Sequence, residues 1–94
     1  MQVSVHIPTA LRAFTGRQAR VEVEGETVEA ALTALTTTHS GLHKNLRDSE
    51  GRLRSFVNVY LGDEDIRFLP EGAQTPLAAG AELTIVPSIA GGRS

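Results

Sequence analysis

The sequence predicts an α+β domain of ββαβββ order, a small mixed sheet packed on one main helix. Three observations carry the prediction. Apolar residues alternate with polar ones at Val3, Val5 and Ile7 and again at Val21 and Val23, the period of half-buried strands. Val28, Ala31, Leu32 and Leu35 recur at helical spacing and form one apolar stripe. Two late segments, 56–61 and 82–87, are β-rich and dominated by Val, Leu and Ile.

The first strand ends at Pro8, which has no N–H to give to a ladder. Residues 9–17 read as a loop in which Leu11 and Phe14 tuck back on the core and Gly16 makes the turn. The second strand, around Val21 and Val23, is broken by Gly25-Glu26, and a loop of this length suits an antiparallel pair. Thr27 is a good N-cap and Glu29 sits in the first turn, so a helix is expected over about 27–40, stopped by Gly41. Residues 42–55 read as a loop with a short helical turn, anchored by Leu42, Leu46 and Leu53. Phe56-Val57-Asn58-Val59-Tyr60-Leu61 suits a central strand, Gly62-Asp63-Glu64-Asp65 a turn, and Ile66-Arg67-Phe68-Leu69 a short fourth strand. The last strand places Leu83 and Ile85 on one face. A helix crossing over a mixed sheet, with first and last strands side by side, is the β-grasp (ubiquitin-like) arrangement. The domain is expected over residues 1–88, followed by a flexible tail over 89–94.

Ninety-four residues are room for one domain, and 40% apolar with 21% charged residues is an ordinary globular composition. The net charge of −2 and scattered basic residues give no electrostatic footprint for nucleic acid. The absence of cysteine excludes disulfides, thiolate metal sites and a cysteine nucleophile, so any sulfur chemistry must use another atom. No basic n-region with an apolar h-region opens the chain, and no run reaches membrane-span length; the expectation is a cytoplasmic protein with no membrane partner.

The segment Asp63-Glu64-Asp65-Ile66-Arg67-Phe68, the Leu83-Thr84-Ile85-Val86-Pro87 strand and the Ile89-Ala90-Gly91-Gly92 end together resemble the ThiS/MoaD sulfur carriers. Ile7-Pro8-Thr9, Leu11-Arg12, Thr15-Gly16 and Phe56-Val57-Asn58 before Tyr60 are similar to the CysO-type branch, which serves thiocarboxylate-dependent cysteine biosynthesis. The resemblance spans residues 3–92. It implies a carrier rather than an enzyme, with no catalytic residue and no bound cofactor of its own. The Gly92 carboxylate is adenylated by an ATP-dependent activating enzyme and converted to a thiocarboxylate. It further implies that the sulfur passes to an aminoacrylate on a pyridoxal-phosphate cysteine synthase, and that a zinc peptidase frees the cysteine. Two other readings are the MoaD-like small subunit of molybdopterin synthase, and a ubiquitin-like binding module whose tail is inert.

Residue chemistry agrees with a carrier tail. Glycine has no side chain, so Gly91-Gly92 suits threading through a narrow tunnel in a partner, with Ala90 keeping the stalk slim and Ile89 anchoring its base. A terminal tail is also cheap to reorder on docking. Arg93 and Ser94 depart from the family, whose active form ends at the second glycine. They are either a precursor extension removed after Gly92 or a cloning remnant, and the 94-residue form is expected not to be adenylated. Phe56 and Tyr60, with Phe68 and Val86, are expected to form a docking face beside the tail unless the 42–55 loop covers them.

Other candidates read as structural. Asp63, Glu64 and Asp65 lack the ligand spacing of a cation loop and suit a solvated turn. His39 and His43 are four apart but separated by Gly41, and His6 faces outward on the first strand; all three read as surface histidines, with no metal site. None of the serines sits in a nucleophile elbow.

Overall fold

A computed structural model describes residues 2–51, 53, 54 and 57–87. Strands β1 (Gln2–His6), β2 (Arg20–Glu24), β3 (Val57–Leu61), β4 (Glu64–Asp65) and β5 (Glu82–Pro87) form one sheet in the order β2-β1-β5-β3-β4. β1 pairs antiparallel with β2 and parallel with β5, and β3 lies antiparallel between β5 and β4. The first and last strands therefore lie side by side, as the β-grasp expectation required.

One face of this sheet is closed by α1 (Val28–Thr38). Alternation along β1, β2, β3 and β5 turns Val3, Val5, Val21, Val23, Val57, Val59, Leu83 and Ile85 inward, against the α1 stripe of Val28, Ala31, Leu32 and Leu35. Thr27 Oγ1 accepts the N–H of Ala30 at 3.1 Å, capping the helix as its sequence position indicated. The helix ends at His39, two residues short of Gly41. Thr36 and Thr37 turn their hydroxyls back onto the carbonyls of Leu32 and Thr33, and a threonine-rich end of low helix propensity gives way to a 3-10 turn over Ser40–Leu42.

A short α2 (His43–Leu46) follows, with Leu42 and Leu46 fully buried against the core. Residues 42–51 thus pack on the helix side of the sheet, as the buried Arg47 shows: its Nη1 donates to Gly51 O at 2.9 Å, and Nη2 stands 3.1 Å from Glu29 Oε2 on α1. The second contact is an ion pair outside hydrogen-bonding geometry. It ties the 47–51 loop to the helix.

Three local readings are corrected. Residues 9–15 form a 3-10 helix capped by Gly16 at φ 65°, not a loop. Within it Leu11 is buried, but Phe14 stays 41% exposed, with its ring against Gly41, whose missing Cβ would stand 2.8 Å from Phe14 Cδ1. The fourth strand is Glu64–Asp65, and Ile66–Phe68 is a 3-10 turn instead of a strand. Asp65 Oδ1 accepts the N–H of Arg67 at 2.9 Å, and this side-chain cap starts the turn where apolar alternation suggested extension.

Gly25, between β2 and α1, is needed for a close approach: a Cβ there would lie 2.5 Å from Ala31 N and 2.7 Å from its Cα, both backbone. Gly25→Ala should therefore lower stability by about 1–3 kcal/mol in urea unfolding. An unchanged midpoint would show that the β2–α1 junction is looser than described.

Candidate functional site

The residues predicted to carry the chemistry, Gly92 with Ile89, Ala90 and Gly91, lie outside the described residues, as does Phe56 of the predicted docking face. The described part defines where that tail is rooted. β5 runs between β1 and β3 and reaches Pro87, which is in register with Val57 at the start of β3. On the other flank His6 pairs with Thr84, so Ile7 continues alongside Ile85.

The face of the sheet opposite α1 carries the residues that alternation turns outward. On the β1–β2 side they are polar. Ser4 donates to Glu22 Oε2 at 2.7 Å, Arg20 Nε lies 3.4 Å from the same oxygen, and His6 Nε2 meets Glu82 Oε1 at 3.0 Å. On the β5–β3 side stand Thr84, Val86, Asn58 and Tyr60, with Val86 opposite Asn58 and Thr84 opposite Tyr60 in register. Val86 is 39% exposed and Tyr60 is half-buried. Tyr60 and Val86 thus share the outer face as expected. Phe68 departs from expectation: it stands 84% exposed on the 3-10 turn after β4, not on a strand.

Two arginines bracket the end of β5. Arg67 is anchored by Nη1 to Asn58 Oδ1 at 2.7 Å and by Nη2 to the carbonyls of Val57 at 2.7 Å and Arg54 at 3.3 Å. Arg12 donates from Nε to Ile7 O at 2.9 Å. It lines an open groove of about 300 Å³ with His6, Pro8, Thr84, Val86 and Pro87. Sequence reading counted these arginines among scattered charges; strand register gathers them, and no local pattern announces it.

The remaining candidates are placed plainly. Asp63 is exposed in the turn at the far end of β3, Glu64 is exposed at the start of β4, and Asp65 is engaged as the cap described above. His39 caps the end of α1 whereas His43 opens α2, so one helix face does not carry both. Among the described residues no group of three or more His, Asp or Glu is placed to hold a metal ion, and no helix is long and apolar enough to cross a membrane.

Comparison with known proteins places this geometry. The ThiS family matches the chain over residues 5–92, a stretch that ends at Gly92. The sulfur carrier protein CysO of Mycobacterium tuberculosis is 45% identical over 94 residues, covering 98% of this chain and all of the relative. The crystal structure of M. tuberculosis CysO matches with a TM-score of 0.82 over 93% of this chain and 99% of that one, at 43% identity. The Amycolatopsis orientalis BexX/CysO complex contains a match at TM-score 0.83 and 41% identity, over 96% of this chain and 99% of that one.

The anchoring of Arg67 generates a stability prediction. Arg67→Ala should cost about 1–2 kcal/mol in chemical unfolding, because it removes the guanidinium donor from the Val57 carbonyl and from Asn58, whereas the Arg54 carbonyl keeps the N–H of Val57 and water partly replaces an exposed guanidinium. A loss below a few tenths would show that the Val57 carbonyl and Asn58 do not depend on it.

Proposed function

The chain belongs to the ThiS family, and on that premise we propose that it is a sulfur carrier of the cysteine-biosynthesis branch, loaded at the carboxyl carbon of Gly92. The observation that carries the reading is the family match over nearly the whole chain, running up to Gly92, together with full-length likeness to CysO. A carrier of this kind needs no acid–base machinery. It needs a rigid head that a partner can grip and a slender arm that delivers one carboxylate.

The fold suits that division. β5 is paired with β1 as far as Thr84 and with β3 as far as Pro87, so an arm leaving there starts from a point set by the β3 register. From Pro87 to Gly92 is five residues, at most about 18 Å when extended. That reach is consistent with a head that stays outside while the carboxylate enters an active site. Inside, the activating enzyme uses ATP to form the acyl adenylate, with loss of pyrophosphate. A sulfur nucleophile then displaces AMP and leaves the thiocarboxylate.

The outer sheet face supports a docking role. Tyr60 and Val86 lie on the same side of the sheet, on the strands that lead to Pro87, and residues 42–51 pack on the helix side instead of covering them. The CysO of A. orientalis has been solved bound to BexX, so a head of this shape accepts a protein partner. For this chain the partners are the activating enzyme, a pyridoxal-phosphate cysteine synthase and a zinc peptidase.

The tail makes the reading testable. The protein ending at Gly92, incubated with activating enzyme, ATP and a sulfur donor, should show the oxygen-to-sulfur mass gain in intact-mass spectrometry. The form retaining Arg93-Ser94 should not. Removing Gly91-Gly92 should abolish the gain while leaving affinity for the sheet face largely intact. Sulfur loading of the form without those glycines would refute the carrier reading. Recovery of a molybdopterin synthase large subunit, in place of a cysteine synthase, as the bound partner would move the chain to the MoaD-like branch.

A further inference from the structure

We propose that Arg12 is a docking residue for the activating enzyme, pairing with carboxylates at the rim of the tunnel that receives the tail. The inference rests on the carrier reading above and adds what grips the head while the arm is inserted.

The argument begins with charge along β5. At its start the sheet is acidic: Glu82 opens β5, Glu22 and Glu24 lie on β2 beside the start of β1, and Asp63 in the turn and Glu64 at the start of β4 follow β3. At its end the sheet is basic, with Arg12 beside β1, Arg67 beside β3, and Arg20 opposite His6. A protein with net charge −2 thus presents a positive rim where its arm departs. Two strand spacings separate the carbonyl anchors of Arg12 and Arg67 across β5, roughly 10 Å. They stand on opposite sides of the end of β5.

Reach then decides what these cations meet. The carboxyl of Gly92 lies as much as about 18 Å further along the chain, so guanidiniums at Pro87 cannot attend the nucleotide phosphates when the arm is extended. They meet whatever surrounds the entrance instead. Arg67 already gives its Nη groups to Asn58, Val57 and Arg54. Arg12 is different. Its Nε bond to Ile7 O fixes the plane of the guanidinium, whereas its two Nη groups have no hydrogen-bond partner among the described residues. The groove it lines continues onto the outer face through Thr84 and Val86, joining the charged rim to the apolar docking area. A planar, pre-oriented fork with free donors matches a carboxylate, and such rim pairs act mainly on encounter and salt dependence.

The test uses chains ending at Gly92, which retain every described residue, assayed by carrier-dependent ATP–pyrophosphate exchange with the host's adenylating enzyme. Arg12→Gln should raise the KM for the carrier about fivefold at low salt with kcat unchanged, in the range of one partly exposed charge pair. It should also flatten the rise of KM with sodium chloride. Arg12→Lys should restore the salt dependence and most of the affinity. Gln2→Glu, the same change in net charge at the acidic end of β1, should leave KM unaltered. Equal KM values for Arg12→Gln and the unsubstituted protein, equal losses in Arg12→Gln and Gln2→Glu, or a fall in kcat alone would each overturn the proposal. Circular dichroism and thermal melts distinguish a misfolded variant, and the Lys variant then reads the charge on its own. Were the unsubstituted chain inert in exchange, the carrier reading itself would fall, and the docking role with it. Activity of that chain with an indifferent Arg12→Gln removes only the docking role.

Discussion

The parallel ladder between β1 and β5 is the constraint on which the rest of the structure depends. Two strands far apart in sequence run the same way at the centre of the sheet, so the chain between them must leave one edge and return to the other. The return is made by α1 and the segment after it, whose leucines close the core over Val3 and Val5 of β1 and Leu83 and Ile85 of β5. Burying Leu32, Leu35, Leu42 and Leu46 against that ladder contributes about 1.5–3 kcal/mol for each side chain. β5 is paired with β1 up to Thr84 and with β3 up to Pro87, so the position of Pro87 is set by the β3 register.

Register also explains how a chain without cysteine, and with no metal cluster among its described residues, is suited to sulfur chemistry. The reactive group proposed for it is a main-chain carboxyl, and the side chains serve to hold and present it. Alternation assigns one face of each strand to the core and leaves the other for recognition. On that outer face the polar pairs of β1 and β2, the Tyr60–Val86 area and the basic rim adjoin one another. On the proposed reading, recognition and delivery are separated along β5, with the outer face binding and the segment beyond Pro87 carrying the carboxyl.

Much of this was legible in the residues. Val3, Val5 and Ile7, then Val21 and Val23, announced strands because their period is two and their intervening residues are polar. Thr27 announced a helix start because a hydroxyl there can satisfy the N–H of Ala30, and it does. What stayed hidden depended on contacts distant in sequence or on a side chain competing with the backbone. Ile66-Arg67-Phe68 has strand-like composition, yet the Asp65 carboxylate captures the Arg67 N–H and turns the chain. Gly41 looked like a helix stop, whereas the threonines end α1 earlier and Gly41 makes room for Phe14. Arg12 and Arg67 stand far apart in the sequence, and their convergence on the end of β5 follows from strand order alone. The expectation for Gly91-Gly92 rests on the glycines themselves and on family resemblance, and it lies outside the described residues.

The most direct measurement of the central claim is the mass of the protein drawn from its own cells, with fragmentation of its C-terminal peptide, during growth that demands cysteine synthesis. The account predicts a population ending at Gly92 in which one oxygen of the terminal carboxyl is replaced by sulfur. A population that never carries sulfur at that position under such growth would contradict it.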